Sequence, residues 1–77
     1  MPPSATTLAA EARGHAASGW ARQLRTHTRL TQAETARAVG VSRSTIAMWE
    51  GGHRQPSGPH AAAYGQFLRE LAQWRQR

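Results

Sequence analysis

The sequence predicts an all-α fold, a compact bundle of four to five short helices, and three observations carry that prediction. Apolar residues recur every three or four positions along most of the chain; glycines and prolines punctuate it into short periodic segments; β-branched residues never alternate with polar ones as a strand would require. The 77 residues leave room for one core only. A domain of this size buries about 60% of the surface its unfolded chain exposes. With no cysteine present, neither a disulfide nor a thiolate metal site can staple the fold, and helix packing has to hold it.

Residues 1–15 mix Pro, Ser, Thr and Ala with few large apolar groups, which leaves two forms open, a flexible N-terminal arm or a weak extra helix. Leu8, Ala12 and His15 fall at helical spacing. The bundle itself is expected over residues 16–77. Trp20, Leu24 and His27 mark a helix from Ala17 to Thr28, and Leu30-Thr31 breaks it. Thr31-Gln32-Ala33-Glu34 has the T-x-x-E form of a capping box, so a second helix runs from Gln32 to Val39. Gly40 ends it, because glycine enters the left-handed region without steric cost. Ser42 can cap a third helix, Arg43 to Glu50, which carries Ile46 and Trp49 on one face. Gly51-Gly52 stops that helix, and His53 to Pro59 is a loop. A last helix, from Ala61 to about Trp74 with Pro59 at its start, repeats Ala61, Tyr64, Phe67 or Leu68, Leu71 and Arg75 at helical intervals.

Charge narrows the function classes. Ten Lys+Arg stand against four Asp+Glu, a net charge of +6, and all ten basic residues are arginine. The missing lysines fit either a GC-rich genome or a use for the planar guanidinium fork, which suits phosphate and guanine; the net excess points to a polyanionic partner. The four acidic residues are all glutamate, placed as a cap, a structural partner and surface charges, so no paired-carboxylate catalytic site arises and no enzyme is expected. His15, His27, His53 and His60 lack the spacing and acidic companions of a metal site, and no metal or cofactor is expected. No apolar run approaches the roughly 20 residues that cross a bilayer. The first residues carry neither a charged region nor a long apolar core, so no secretion signal is expected and a cytoplasmic protein is. Tyr64, Phe67, Leu68, Leu71 and Trp74 form an apolar stripe beside Arg69, Arg75 and Arg77; it reads as core, with a membrane surface as the lesser alternative.

Two eight-residue helices on either side of a glycine turn, Gln32 to Trp49, make the helix-turn-helix geometry, in which the second helix can enter a major groove about 12 Å wide. Ala36 is small where the helices cross, Gly40 takes the turn, and Ile46 and Trp49 anchor the second helix from behind. Further residues sharpen the pattern: Leu24-Arg25, Leu30-Thr31-Gln32, Val39-Gly40-Val41-Ser42, Thr45-Ile46, Trp49-Glu50, Gly52 and Pro56. Over roughly residues 17–74 the chain resembles the phage repressors, Cro proteins and wider XRE-like regulators. Thr35 departs from the pattern, since the family usually has leucine there.

The resemblance implies a fold of the phage-repressor DNA-binding type, a double-stranded DNA operator as partner, transcriptional regulation as repressor or Cro-like protein, and homodimerisation. Arg43 and Ser44 lie at the N-terminal end of the recognition helix, with Ala47 and Met48 one turn on; these four are the candidate base contacts. Arg43 suits a bidentate contact to guanine O6 and N7, with a phosphate-only contact as the alternative. Ala47 or Met48 could touch a thymine methyl, although Met48 could equally serve packing. Gln32 opens its helix, where the dipole and free amide donors favour a phosphate, and the resemblance gives it a grip on the DNA backbone and a brace for the recognition helix. Ser42, Thr45, His53 and Arg54 are the other candidates for backbone contacts, which position without reading sequence. The resemblance further implies an ion pair between Arg25 and Glu50. Two rival functions stay open: an antitoxin that binds a toxin protein and autoregulates its operon, and a nucleic-acid binder without sequence preference.

Overall fold

The computed structural model describes residues 1–75; Gln76 and Arg77, the end of the expected 16–77 bundle and of the cationic flank, lie outside the described residues. Among the described residues five helices follow one another: α1 (Ala5–Ser18), α2 (Trp20–His27), α3 (Gln32–Val39), α4 (Arg43–Glu50) and α5 (Gly58–Arg75). No strand occurs among the described residues.

Of the two forms open for the first residues, the helix is the one present. Ser4 caps it by accepting the Thr7 N–H at 3.1 Å, and α1 passes His15 without a break. It buries Ala9, Ala12 and Ala16 rather than large side chains. Because these are small, α1 lies close along α5: a Cβ built on Gly65 would come within 2.1 Å of the Leu8 carbonyl oxygen. Gly65 is therefore a packing requirement. Two polar ties accompany the seam, a bidentate pair of Arg69 with Glu11 at 2.8 and 2.7 Å, and a bond from Arg13 Nε to the Pro56 carbonyl at 2.9 Å.

The expected helix from Ala17 to Thr28 is divided differently. Gly19, at φ 83°, ends α1 and lets α2 start afresh at Trp20, so Ala17 and Ser18 belong to the preceding helix. At the far end the chain turns at Arg29, whose φ of 62° puts a non-glycine residue in the left-handed region. Its neighbour Leu30 then donates its N–H to the Arg25 carbonyl, which closes α2 as a glycine would.

The capping box of α3 is complete: the Glu34 N–H donates to Thr31 Oγ1 at 3.0 Å, and the Thr31 N–H donates to Glu34 Oε1 at 2.9 Å. These bonds hold the Glu34 carboxyl below its ordinary pKa. Gly40 adopts φ 90°, and both its N–H and that of Val41 reach the Ala36 carbonyl. One core serves all five helices, formed by Ala12, Ala21, Leu24, Ala36, Val39, Ile46, Trp49, Tyr64 and Leu68. Tyr64 and Leu68 of the apolar stripe are thus core residues, whereas Trp74 is 61% exposed. The start of α5 is three residues earlier than the expected Ala61, with Pro59 in its first turn.

Among the described residues two buried hydroxyls lack partners, Thr35 Oγ1 and Tyr64 Oη. Burial pushes the Tyr64 phenol well up. Thr35, at the position where leucine is usual in the resembling family, is 1% exposed, so it fills the space of an apolar side chain while carrying an unbonded polar group.

Candidate nucleic-acid interface

α4 is anchored on one side and open on the other. Ile46 and Trp49 are buried, Trp49 lying against Tyr64 with ring centroids 5.0 Å apart, while Arg43 and Ser44 are exposed. Ser42 caps the helix by accepting the Thr45 N–H at 3.2 Å, and its hydroxyl also meets those of Ser44 and Thr45 at 3.0 and 2.9 Å. Three hydroxyls thus cluster where the helix dipole is positive. The Gly40–Val41 turn sets the angle of α4 to α3, and Ala36, 3% exposed, lets the two helices approach.

The other candidate residues fall into two groups around this helix. Arg43, Gln32, Glu50 and Arg25 form one chain of hydrogen bonds. Arg43 Nη1 donates to Gln32 Oε1 at 3.2 Å, Gln32 Nε2 donates to Glu50 Oε1 at 3.2 Å, and Arg25 clasps Glu50 through Nε at 2.6 Å and Nη2 at 2.9 Å. Its third nitrogen, Nη1, donates to the Leu30 carbonyl at 2.8 Å. An arginine only donates and an ionised carboxylate only accepts, so the orientation of the Gln32 amide between them is dictated. The Glu50 side chain is 3% exposed and that of Arg25 11%. Bonding to Glu50 holds the Arg25 guanidinium still further in its charged form. A pair this sheltered fixes orientation more than it adds net stability.

The second group lies across α4. Thr45, Met48 and Arg54 line a cleft of about 330 Å³ between the turn, α4 and the loop to α5, together with Ser42, Ser57 and His60. Met48 is half-buried in its wall, so it contributes to packing as well as to the surface. Its carbonyl accepts the N–H groups of His53 and Arg54, whose side chains are exposed. Ala47 faces the opposite cleft, of about 170 Å³, with Gln32, Gly51 and Arg22.

The family model for helix-turn-helix proteins matches residues 22–74, more than half of the chain. The chain belongs to that family. It is a Cro/XRE-type helix-turn-helix protein, and as such a DNA-binding regulator of transcription. Comparison with curated proteins and with solved structures gives no match. No helix among the described residues is long and apolar enough to cross a membrane.

Sequence reasoning missed one residue beside the helix-turn-helix and two contacts that hold the site. Arg22, which enters the smaller cleft, precedes Arg25 by one turn and could have been found from that spacing. The bond from Gln32 to Glu50 spans eighteen residues and leaves no periodic trace. Neither does Arg13 on Pro56, forty-three residues away.

Proposed function

We propose that the chain is a sequence-selective repressor or Cro-like regulator that lays α4 in the major groove of duplex DNA. The observation that carries this reading is the outward stance of Arg43 and Ser44 on a helix whose opposite face, Ile46 and Trp49, is locked in the core. Arg43 reads a guanine edge with the donors that Gln32 leaves free, and Ser44, Ala47 and Met48 complete the base-facing surface. Gln32, Ser42, Thr45, His53 and Arg54 meet phosphates on either side, and the excess of arginine over glutamate supplies the general attraction. Arg25 and Glu50 keep Gln32 and the end of α4 in register.

The resemblance to phage repressors implies a homodimer on a pseudo-palindrome with half-sites about 34 Å apart. Leu30, Leu71 and the exposed Trp74 form a small apolar depression at the end of α5, which supports a protein contact there, and a second copy of the chain is the occupant we assign. Selection of bound fragments from a random duplex library at fixed salt tests the reading. It predicts enrichment of one symmetric motif with a preference of at least roughly 10³-fold over random duplex. Binding without any enriched motif would reduce the protein to a charge-driven binder. A monomer in sedimentation, free and on DNA, would remove the dimer.

A further inference from the structure

α1 ends before residue 22, where the family match begins, yet one of its side chains reaches the loop that carries His53 and Arg54. That loop is anchored at two places. Upstream, the N–H groups of His53 and Arg54 both donate to the Met48 carbonyl, at 3.0 and 3.3 Å, which ties them to α4. Downstream, Arg13 Nε donates to the Pro56 carbonyl at 2.9 Å, and among the described residues this is the only side-chain hydrogen bond the loop receives. Arg54 is itself the last of the upstream ties, and Gln55 alone separates it from Pro56, so its side chain leaves the loop beside both anchors. Pro56 is buried, so its carbonyl needs a partner away from bulk water, and a guanidinium supplies a charge-assisted one. The position of Arg13 is in turn indexed along α5 by the contact of Leu8 with Gly65 and by the Glu11–Arg69 pair.

From this arrangement we infer that Arg13 is a positioning residue for DNA binding: by holding the Pro56 carbonyl it fixes the loop so that Arg54 meets a phosphate, and α1 acts on DNA without touching it. The inference rests on the reading that Arg54 is a backbone contact. It goes beyond the helix-turn-helix itself, because both the latch and the helix that carries it lie outside that unit.

Phosphate contacts are independent of sequence, so a random-sequence duplex is a sufficient probe. The slope of log K against log salt is measured for the full-length wild type, Arg13→Ala, Arg13→Lys, Arg54→Ala and the Arg13→Ala/Arg54→Ala double variant. Removing one phosphate interaction should lower the slope by about 0.9. Arg13→Ala is expected to lower it by that amount, as Arg54→Ala does; the double variant should fall no further than Arg54→Ala alone, and Arg13→Lys should restore the wild-type slope. A reduction from Arg13→Ala that persists undiminished in the Arg54→Ala background would mean that Arg13 meets DNA itself, and an unchanged slope would make it a brace of the fold only; either overturns the inference. Amide exchange without DNA reads the latch separately, with Arg13→Ala expected to speed exchange at the His53 and Arg54 amides, which donate to the Met48 carbonyl, while α3 and α4 stay protected. Equal exchange in wild type and variant would also overturn it. If the wild type failed to bind duplex, the functional reading would fall and take the role in binding with it, while the exchange experiment would still show whether the loop is held.

Discussion

The two halves of this bundle are held by different physics. Around the turn, α3 and α4 are fixed by directional groups: a capping box, a serine cap, a glycine at φ 90° and a chain of hydrogen bonds from Arg43 to Arg25. Along the seam of α1 and α5 the contact is shape alone, alanines on one helix and Ala61 and Gly65 on the other, with polar ties only at its margin. Directional groups define where side chains point, which a reading surface requires. Close approach of small residues gives a rigid platform instead. Damage to the seam should therefore cost folding, whereas damage to the open face of α4 should cost recognition.

The largest effect is expected at Gly65. Gly65→Val forces branched carbons into the space of the Leu8 backbone, which cannot yield as a flexible side chain would, and should cost about 3 kcal/mol or more. In a domain of this size that lowers Tm by about 12 °C at least. Thermal unfolding checks it, and a shift of only a degree or two would show that α1 is an optional layer.

Next comes the ion pair. Glu50→Ala leaves the Arg25 guanidinium short of its partner, though still bonded to Leu30, and should cost about 3 kcal/mol, at the low end for sheltered pairs. The Arg25→Ala/Glu50→Ala double variant should lose much less than the sum of the singles. Additive losses would mean two independent charges. A smaller gain is expected in the core: Thr35→Val and Tyr64→Phe each remove a buried hydroxyl without a partner and should raise stability by about 1 kcal/mol in denaturant titration.

The pH dependence should be the slightest effect. Hydrogen bonding and charge from Arg69 hold the Glu11 carboxyl below its ordinary pKa. A carboxyl depressed in the folded state binds its proton more readily when unfolded, so the stability it contributes is present above the ordinary glutamate pKa and is lost as pH falls through the depressed one. Glu11→Gln should therefore flatten the acid side of the stability profile through a small loss at neutral pH, with variant and wild type converging in acid. Arg69 is exposed and Glu11 only partly covered, so a large change at pH 7 would contradict the surface character of this tie.

The same division explains what could be read from the sequence. Caps and turns are local chemistry, so Thr31-x-x-Glu34, Gly40 and Ser42 gave α3 and α4 their bounds residue for residue. The anchors Ile46 and Trp49 followed from helical spacing. α1 left no such trace, because its buried residues are alanines and carry no amphipathic contrast; the available signals were Ser4 as a cap after two prolines and the helical propensity of alanine. The break at Gly19 was hidden for the same reason, the flanking Ala17 and Ser18 fitting either helix. Arg29 in the left-handed region had no glycine to announce it. At the site, residue types indicated the candidate side chains and the resemblance implied the Arg25–Glu50 pair, but neither indicated the bonds of Gln32 to Arg43 and Glu50. Gln32 and Glu50 meet only because α3 starts where α4 ends in space, which is tertiary information.

On the proposed reading, Arg43 contacts a base while the rest of the bundle holds it in place. The sharpest test compares wild type and Arg43→Ala on the selected operator and on every single-base variant of it, at one salt concentration. The expected result is a loss of about 1–3 kcal/mol on the operator, with preference relaxed at a single base pair of each half-site and Tm unchanged, since the side chain is exposed. An equal loss on every sequence, with all preferences intact, would contradict it.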